Sequence, residues 1–200
     1  MTTTASTPAV APRPRSHPRS RLHTRIVVAI LAAIGFAALA WAAFVSPLPR
    51  LTYNPSDSVA VGWYRIDPFD PHTASLPRPL SVDSIVLVPL PATAAALAAQ
   101  RSYLPTRVPL LKRVGAVAPQ HVCIVAGQVH IDGVPSAAVL PADRIGRALP
   151  SLPLCRRLGP GELFLLSVTN PASFDSRYFG PVSASAVIGI ARPIWLEKHP

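Results

Sequence analysis

The chain has 200 residues, half of them hydrophobic, with a formal net charge of +10 and 25 prolines against 10 glycines. That proline content argues against a helical bundle, because proline removes a backbone donor and clashes with the preceding turn inside a helix. Nor does the charge by itself identify a nucleic-acid binder: Arg13, Arg15, Arg19, Arg21 and Arg25 precede the first acid, Asp57, so removing that tail takes the excess from +10 to +5.

The tail "STPAVAPRPRSHPRSRLHTR" mixes Pro, Ser and Arg without apolar periodicity. Residues 1–25 are therefore expected to be disordered, either as a solvated basic tail or in contact with DNA or anionic lipid. From Ile26 to Val45, "IVVAILAAIGFAALAWAAFV" carries no charged side chain and is long enough to cross a hydrocarbon core. The "AWA" at 40–42 has the form of a cleavage site, but the apolar run outlasts the usual signal-peptide core, so an uncleaved anchor over 26–46 is expected. Arginines before the run and only Arg50 just after it place the N-terminus in the cytoplasm and residues beyond Ser46 across the membrane.

After the connector "SPLPRLTYNP", apolar residues come in short runs bounded by turn formers. "SVAVGWYRI", "SIVLVPL", "RVPLLKRVGAVA", "VCIVAG", "VHIDGV", "ELFLLSV" and "SAVIGIARPIWL" favour β-branched or aromatic residues and read as strands. Asp132-Gly133 signals a tight turn, and only "ATAAALAAQR", 92–101, reads as helix. No long-period repeat and no second linker interrupt residues 47–200, which predicts a single, mainly β domain. Cys123 and Cys155 lack Cys or His partners at ligand spacing, so no metal is expected. Outside the cytoplasm such a pair is more often a disulfide, and closing a loop of about 30 residues would contribute roughly 3 to 4 kcal/mol on the chain-entropy account; two buried free thiols are the other reading.

Three stretches could carry chemistry. "YNPSDSVAVGWYRI", 53–66, places Ser56 and Ser58 in a turn-forming patch just after the apolar run. A serine becomes a nucleophile only when a base takes its proton and donors receive the oxyanion. Among His72, His121, His130 and His199 none sits in a triad pattern, the G-x-S-x-G elbow is missing, and His130 with Asp132 reads as an outward-facing strand pair. Lysine is rare, with Lys112 and Lys198 against 17 arginines, and Lys112 lies within the apolar "VPLLKRVGAVA". Either its stem packs while the amine reaches solvent, or burial lowers its pKa and makes it a neutral base. Finally "NPASFDSRYFGPV", 170–182, is a polar turn with Ser173, Asp175, Ser176 and Arg177; alone it is compatible with a surface turn holding an Asp/Arg pair.

In this order, behind an anchor, the three stretches resemble the boxes of the type I signal peptidase family, closest to the conjugative-transfer peptidases of the TraF type. The resemblance covers about residues 47–192. It implies a signal-peptidase-like β domain in the periplasm, anchored in the bacterial inner membrane. It further implies Ser58 as nucleophile, the Ser58 N–H and the Ser56 hydroxyl as oxyanion donors, and Lys112 as general base. Ser173 would bond the lysine amine, and Asp175 with Arg177 would brace that turn. Val59 and Val61 stand where many members have Met and Pro, and Pro119-Gln120-His121 replaces a Gly-Asp turn. The implied activity is serine endopeptidase cleavage of a membrane-anchored, pilin-like precursor beside the lipid bilayer, with small residues before the cut and, in this branch, cyclisation of the product. Other conjugation proteins would be partners; neither a cofactor nor nucleic acid is implied. A general signal peptidase and a non-enzymatic pilus scaffold are the alternatives.

Overall fold

The computed structural model describes residues 18–45, 50–69 and 80–197. Most of the basic tail, together with His72, Lys198 and His199, lies outside the described residues. The chain divides into two units, residues 1–48 and 49–200.

Among the described residues the first unit is one helix, α1 (Pro18–Val45). Its segment Leu22–Trp41 is long and apolar enough to cross a membrane. The helix begins inside the stretch expected to be disordered. Proline is well tolerated in a first helical turn, where its missing N–H would have no partner, and Arg and Leu are good helix formers, so an apolar helix can extend back through basic residues.

The second unit is mainly β. In chain order it runs β1 (Arg50–Asn54), β2 (Gly62–Pro68), β3 (Ile85–Val88), α2 (Ala92–Gln100), β4 (Leu110–Val117), β5 (His121–Val125) and β6 (Gln128–Ile131). It continues with β7 (Val134–Ala138), β8 (Cys155–Arg157), β9 (Glu162–Leu165), α3 (Ser176–Phe179), β10 (Val182–Ser183) and β11 (Gly189–Leu196). A seven-stranded sheet has the order β1-β2-β11-β3-β4-β9-β10, and a four-stranded sheet the order β7-β6-β5-β8. Antiparallel pairing lets one face be apolar, as in β2, where Tyr64 and Ile66 are buried while Trp63 and Arg65 are exposed.

Sequence and structure agree on the central strands and α2; the differences lie at sheet edges and at α3, a short helix in the stretch read as a turn. The supposed connector contains β1, a strand bounded by Pro49 and Pro55 rather than broken by them, and paired with β2 from Arg50↔Ile66 to Asn54↔Gly62. Strand β7 carries Pro135 at the edge of its sheet, where a missing N–H costs least. Tyr53 faces Trp63, and Trp63 faces Trp195, forming an exposed aromatic row across three strands.

Three apolar clusters hold the domain. Val59, Tyr64, Ile66, Leu87, Leu111 and Ala191 pack beneath the start of β2. Val86, Val88, Val114, Leu163, Leu165, Val182 and Val187 fill the centre. Ala116, Val122, Val129, Leu158, Phe164 and Leu166 join the two sheets. The β4–β9 register shifts between Val114 and Ala116. At Gly115, between them, a Cβ would lie 2.6 Å from Leu166 Cβ, so only glycine permits this close approach.

Candidate active site

Asn54, buried at the end of β1, organises the loop to β2. Its Nδ2 donates to the carbonyls of Ser56 (2.8 Å), Val59 (3.1 Å) and Ala60 (3.1 Å). Its Oδ1 accepts from the Ser56 N–H (3.2 Å) and the Ser56 hydroxyl (2.9 Å). Tyr64 donates its hydroxyl to the Ala60 carbonyl at 2.6 Å. Because Val59 is anchored in the core, the preceding Ser58 is held in place and is only 8% exposed.

Strand β4 supplies Lys112, opposite Val86 of β3. At 4% exposure its amine does not reach solvent, which decides between the two readings of this residue. Lys112 Nζ lies 2.6 Å from Ser58 Oγ and 2.6 Å from Ser173 Oγ, and the two hydroxyl oxygens are 3.3 Å apart. Burial pulls the lysine pKa down to about 8; the Asp175 charge opposes this, and the Arg177 charge reinforces it.

Ser173 is fixed by a buried ion pair. Asp175 and Arg177 are both fully buried and meet through two hydrogen bonds, Nε to Oδ1 and Nη2 to Oδ2, each 2.8 Å. Asp175 also accepts the backbone N–H of Ser167 (3.0 Å) and of Arg177 (3.2 Å), the latter capping α3. The guanidinium donates to the carbonyls of Ala138 (2.7 Å), Asn170 (3.3 Å) and Ser173 (3.1 Å). A desolvated pair is tolerable only with such completion of its donors and acceptors. The surface-turn reading of residues 170–182 is thereby excluded. Ser176 Oγ accepts the Leu165 N–H at 2.9 Å and ties the turn to β9.

Of the residues expected at the site, Ser58, Lys112 and Ser173 come together, with Asp175 and Arg177 behind them. Ser56 is exposed and its hydroxyl donates to Asn54 instead of approaching Ser58. His121 and His130 do not line the cleft around Ser58. Asp132 sits in a turn at φ 51° and accepts from the His121 N–H at 2.8 Å.

Cys123 and Cys155 face one another across β5 and β8 and are joined as a disulfide. The pairing brings His121 near both sulfurs, with ligand atoms within 4.8 Å of one another, a neighbour that linear spacing did not suggest. The thiolates a metal would require are consumed by the disulfide.

The cleft has a volume of about 620 Å³. One wall is the segment 52–58, and Lys112, Ser173 and Leu111 also border the space. Tyr103 and the loop 140–149 provide a part that sequence reasoning missed. Tyr103 donates its hydroxyl to Asp143, which also accepts Arg147 Nε at 2.7 Å. The Arg147 guanidinium stands over the Tyr103 ring, which touches Phe174, the neighbour of Ser173. The only sequence signal was the turn-like "ADRIGR"; its partner Tyr103 lies far away in the chain.

With this geometry established, likeness to known proteins gains meaning. Residues 23–196 match the family described as signal peptidase, peptidase S26. A conjugal transfer protein TraF of Agrobacterium tumefaciens (strain 15955) is 35% identical over 84% of this chain and 93% of its own. A probable conjugal transfer protein TraF of Sinorhizobium fredii is 34% identical over 82% and 84%. A signal peptidase I from Enterococcus faecalis V583 aligns with a TM-score of 0.35 at 21% identity, over 58% of this chain and 98% of that one. The chain belongs to the signal peptidase family, peptidase S26, and is a serine peptidase.

Proposed function

We propose that the protein is a membrane-anchored endopeptidase that uses Ser58 and Lys112 to cleave a pilin-like precursor in conjugative transfer. The observation carrying this reading is the 2.6 Å approach of a buried amine to a buried serine hydroxyl. A lysine buried for stability alone is expected to reach a carboxylate. Lys112 reaches two hydroxyls instead.

In the neutral state the Lys112 lone pair accepts the Ser58 proton while one amine N–H donates to Ser173. Ser58 Oγ then attacks the scissile carbonyl carbon. The Ser58 backbone N–H receives the oxyanion together with the Ser56 hydroxyl, which must rotate away from Asn54 to do so. Collapse of the tetrahedral intermediate breaks the peptide C–N bond, and the lysine ammonium returns the proton to the departing amine. A water, deprotonated by the same amine, releases the acyl group. If the substrate's own amine takes the place of water, a cyclic product lighter by one water results, and intact mass separates the two.

The apolar helix and the arginines before it support an anchor in the bacterial inner membrane, with the peptidase domain in the periplasm. A precursor held by its own apolar segment would present its cleavage site at a constrained height, so proximity replaces part of the binding energy. The conjugation role rests on the names of the TraF relatives. The test uses Ser58→Ala and Lys112→Ala in full-length protein with a lipid-embedded pilin precursor and an ordinary secretory precursor. Loss of processing of the pilin precursor by both variants is expected. Parental-rate processing by either variant rejects the dyad, and equal cleavage of secretory precursors by the parental protein favours a general signal peptidase.

A further inference from the structure

The loop between β7 and β8 presents two exposed side chains, Arg144 and Ile145, as part of the cleft lining. Its tip is organised around one carboxylate and a set of backbone hydrogen bonds. Asp143 Oδ1 accepts the backbone N–H of Ile145 (3.1 Å) and of Arg147 (2.9 Å). The Asp143 N–H donates to the Arg147 carbonyl (2.9 Å), the Gly146 N–H returns to the Asp143 carbonyl (3.0 Å), and Ala142 bridges Ala148. Gly146, at φ 82°, supplies the left-handed residue the turn requires. These bonds order Arg144 and Ile145 without consuming either side chain.

The charges along the cleft are unevenly committed. Lys112 is engaged with Ser58 and Ser173, while Asp143 and Arg147 are engaged with each other. Asp57 belongs to the nucleophile's loop on the 52–58 wall. Among the described residues Arg144 has no hydrogen-bond or ion-pair partner, although a guanidinium offers five donors suited to a planar carboxylate. An extended peptide passing Ser58 thus meets a preset cation beside an apolar side chain.

We propose that the Arg144–Ile145 tip is a specificity determinant of the peptidase: Arg144 selects precursors with an acidic side chain near the cut, and Ile145 packs against the neighbouring residue. This inference rests on the reading of Ser58 as the nucleophile. Arg144 remains exposed, so its effect is that of one screened ion pair, about fivefold between an acidic and a basic residue at the position it meets. It should shrink as salt rises. Tyr103, Asp143 and Arg147 are positioning residues that hold the tip.

The experiment separates binding from chemistry. Full-length protein carrying Ser58→Ala, in detergent micelles, is titrated with short fluorescein-labelled peptides that place alanines before the cut and carry Glu, Gln or Lys at each flanking position in turn. At one position Glu should bind about fivefold more tightly than Lys. Adding Arg144→Glu should reverse that order, Arg144→Gln should level it, and Ile145→Ser should weaken all peptides alike. Equal binding of the three peptides at every position, an order unaffected by Arg144→Glu, or no binding of any peptide overturns the inference. Absence of cleavage by the parental protein, with the charge preference intact in the Ser58→Ala background, would instead overturn the peptidase mechanism and leave the binding assignment standing.

Discussion

The pH dependence of the reaction follows from the burial of one amine. In the proposed mechanism Lys112 must be neutral to take the Ser58 proton, and its pKa is pulled from 10.5 to about 8, mainly by loss of hydration. At pH 7 about a tenth of the molecules then carry the free amine, against roughly 3 in 10,000 for an ordinary lysine, so burial supplies about a 300-fold advantage. Initial rates on a labelled peptide in detergent, measured from pH 5.5 to 9.5, should give a kcat/KM that rises about tenfold per pH unit and levels near pH 8. Stability should follow the same titration with a definite sign. Between the folded value near 8 and the unfolded value near 10.5, the unfolded chain binds a proton that the folded chain refuses. Stability relative to a Lys112→Met variant should therefore climb across that window by about 3 kcal/mol, and the penalty should be fully present below it. A rate that is flat from pH 6 to 9, or one still rising tenfold per unit above pH 9, would refute this account of the base.

Two further outcomes test the frame around the site. Arg177→Met leaves the Asp175 carboxylate buried without its partner, so a loss of about 3 to 5 kcal/mol is expected by denaturant titration; a loss below about 1 kcal/mol would mean the pair does not hold the turn. Cys155→Ser opens a disulfide spanning 32 positions and should cost about 3 to 4 kcal/mol, and a non-reducing peptide map of the parental protein should contain a cross-linked Cys123–Cys155 fragment.

How much of this was legible in the sequence depended on the range of the interaction. The central strands were readable because β-branched runs bounded by turn formers report local preference, and α2 because its alanine run has no rival. Strand β1 was obscured because Pro49 and Pro55 look like breakers, yet the strand fits between their positions in the sequence. The approach of Lys112 to Ser58 was reachable only because three boxes occur in order behind an apolar run. Nothing local brings Lys112 to Ser58, since that contact depends on β4 lying within the same sheet as β2. Asn54 gave no signal because an asparagine before proline reads as an ordinary turn, whereas its amide gathers Ser56, Val59 and Ala60 around Ser58. The Tyr103–Asp143–Arg147 link was hidden for the reason most tertiary contacts are: its members are distant in the chain and individually unremarkable.

The covalent tie at Cys155 lies just downstream of the cleft-lining loop, at the first residue of β8. Formation of that bond needs an oxidising compartment. A newly made chain still on the cytoplasmic side would therefore hold the far root of this loop by strand pairing with β5 alone. On the proposed topology, translocation would then act as a safeguard on timing, with the proposed specificity surface secured only once the domain stands on the oxidising side of the membrane.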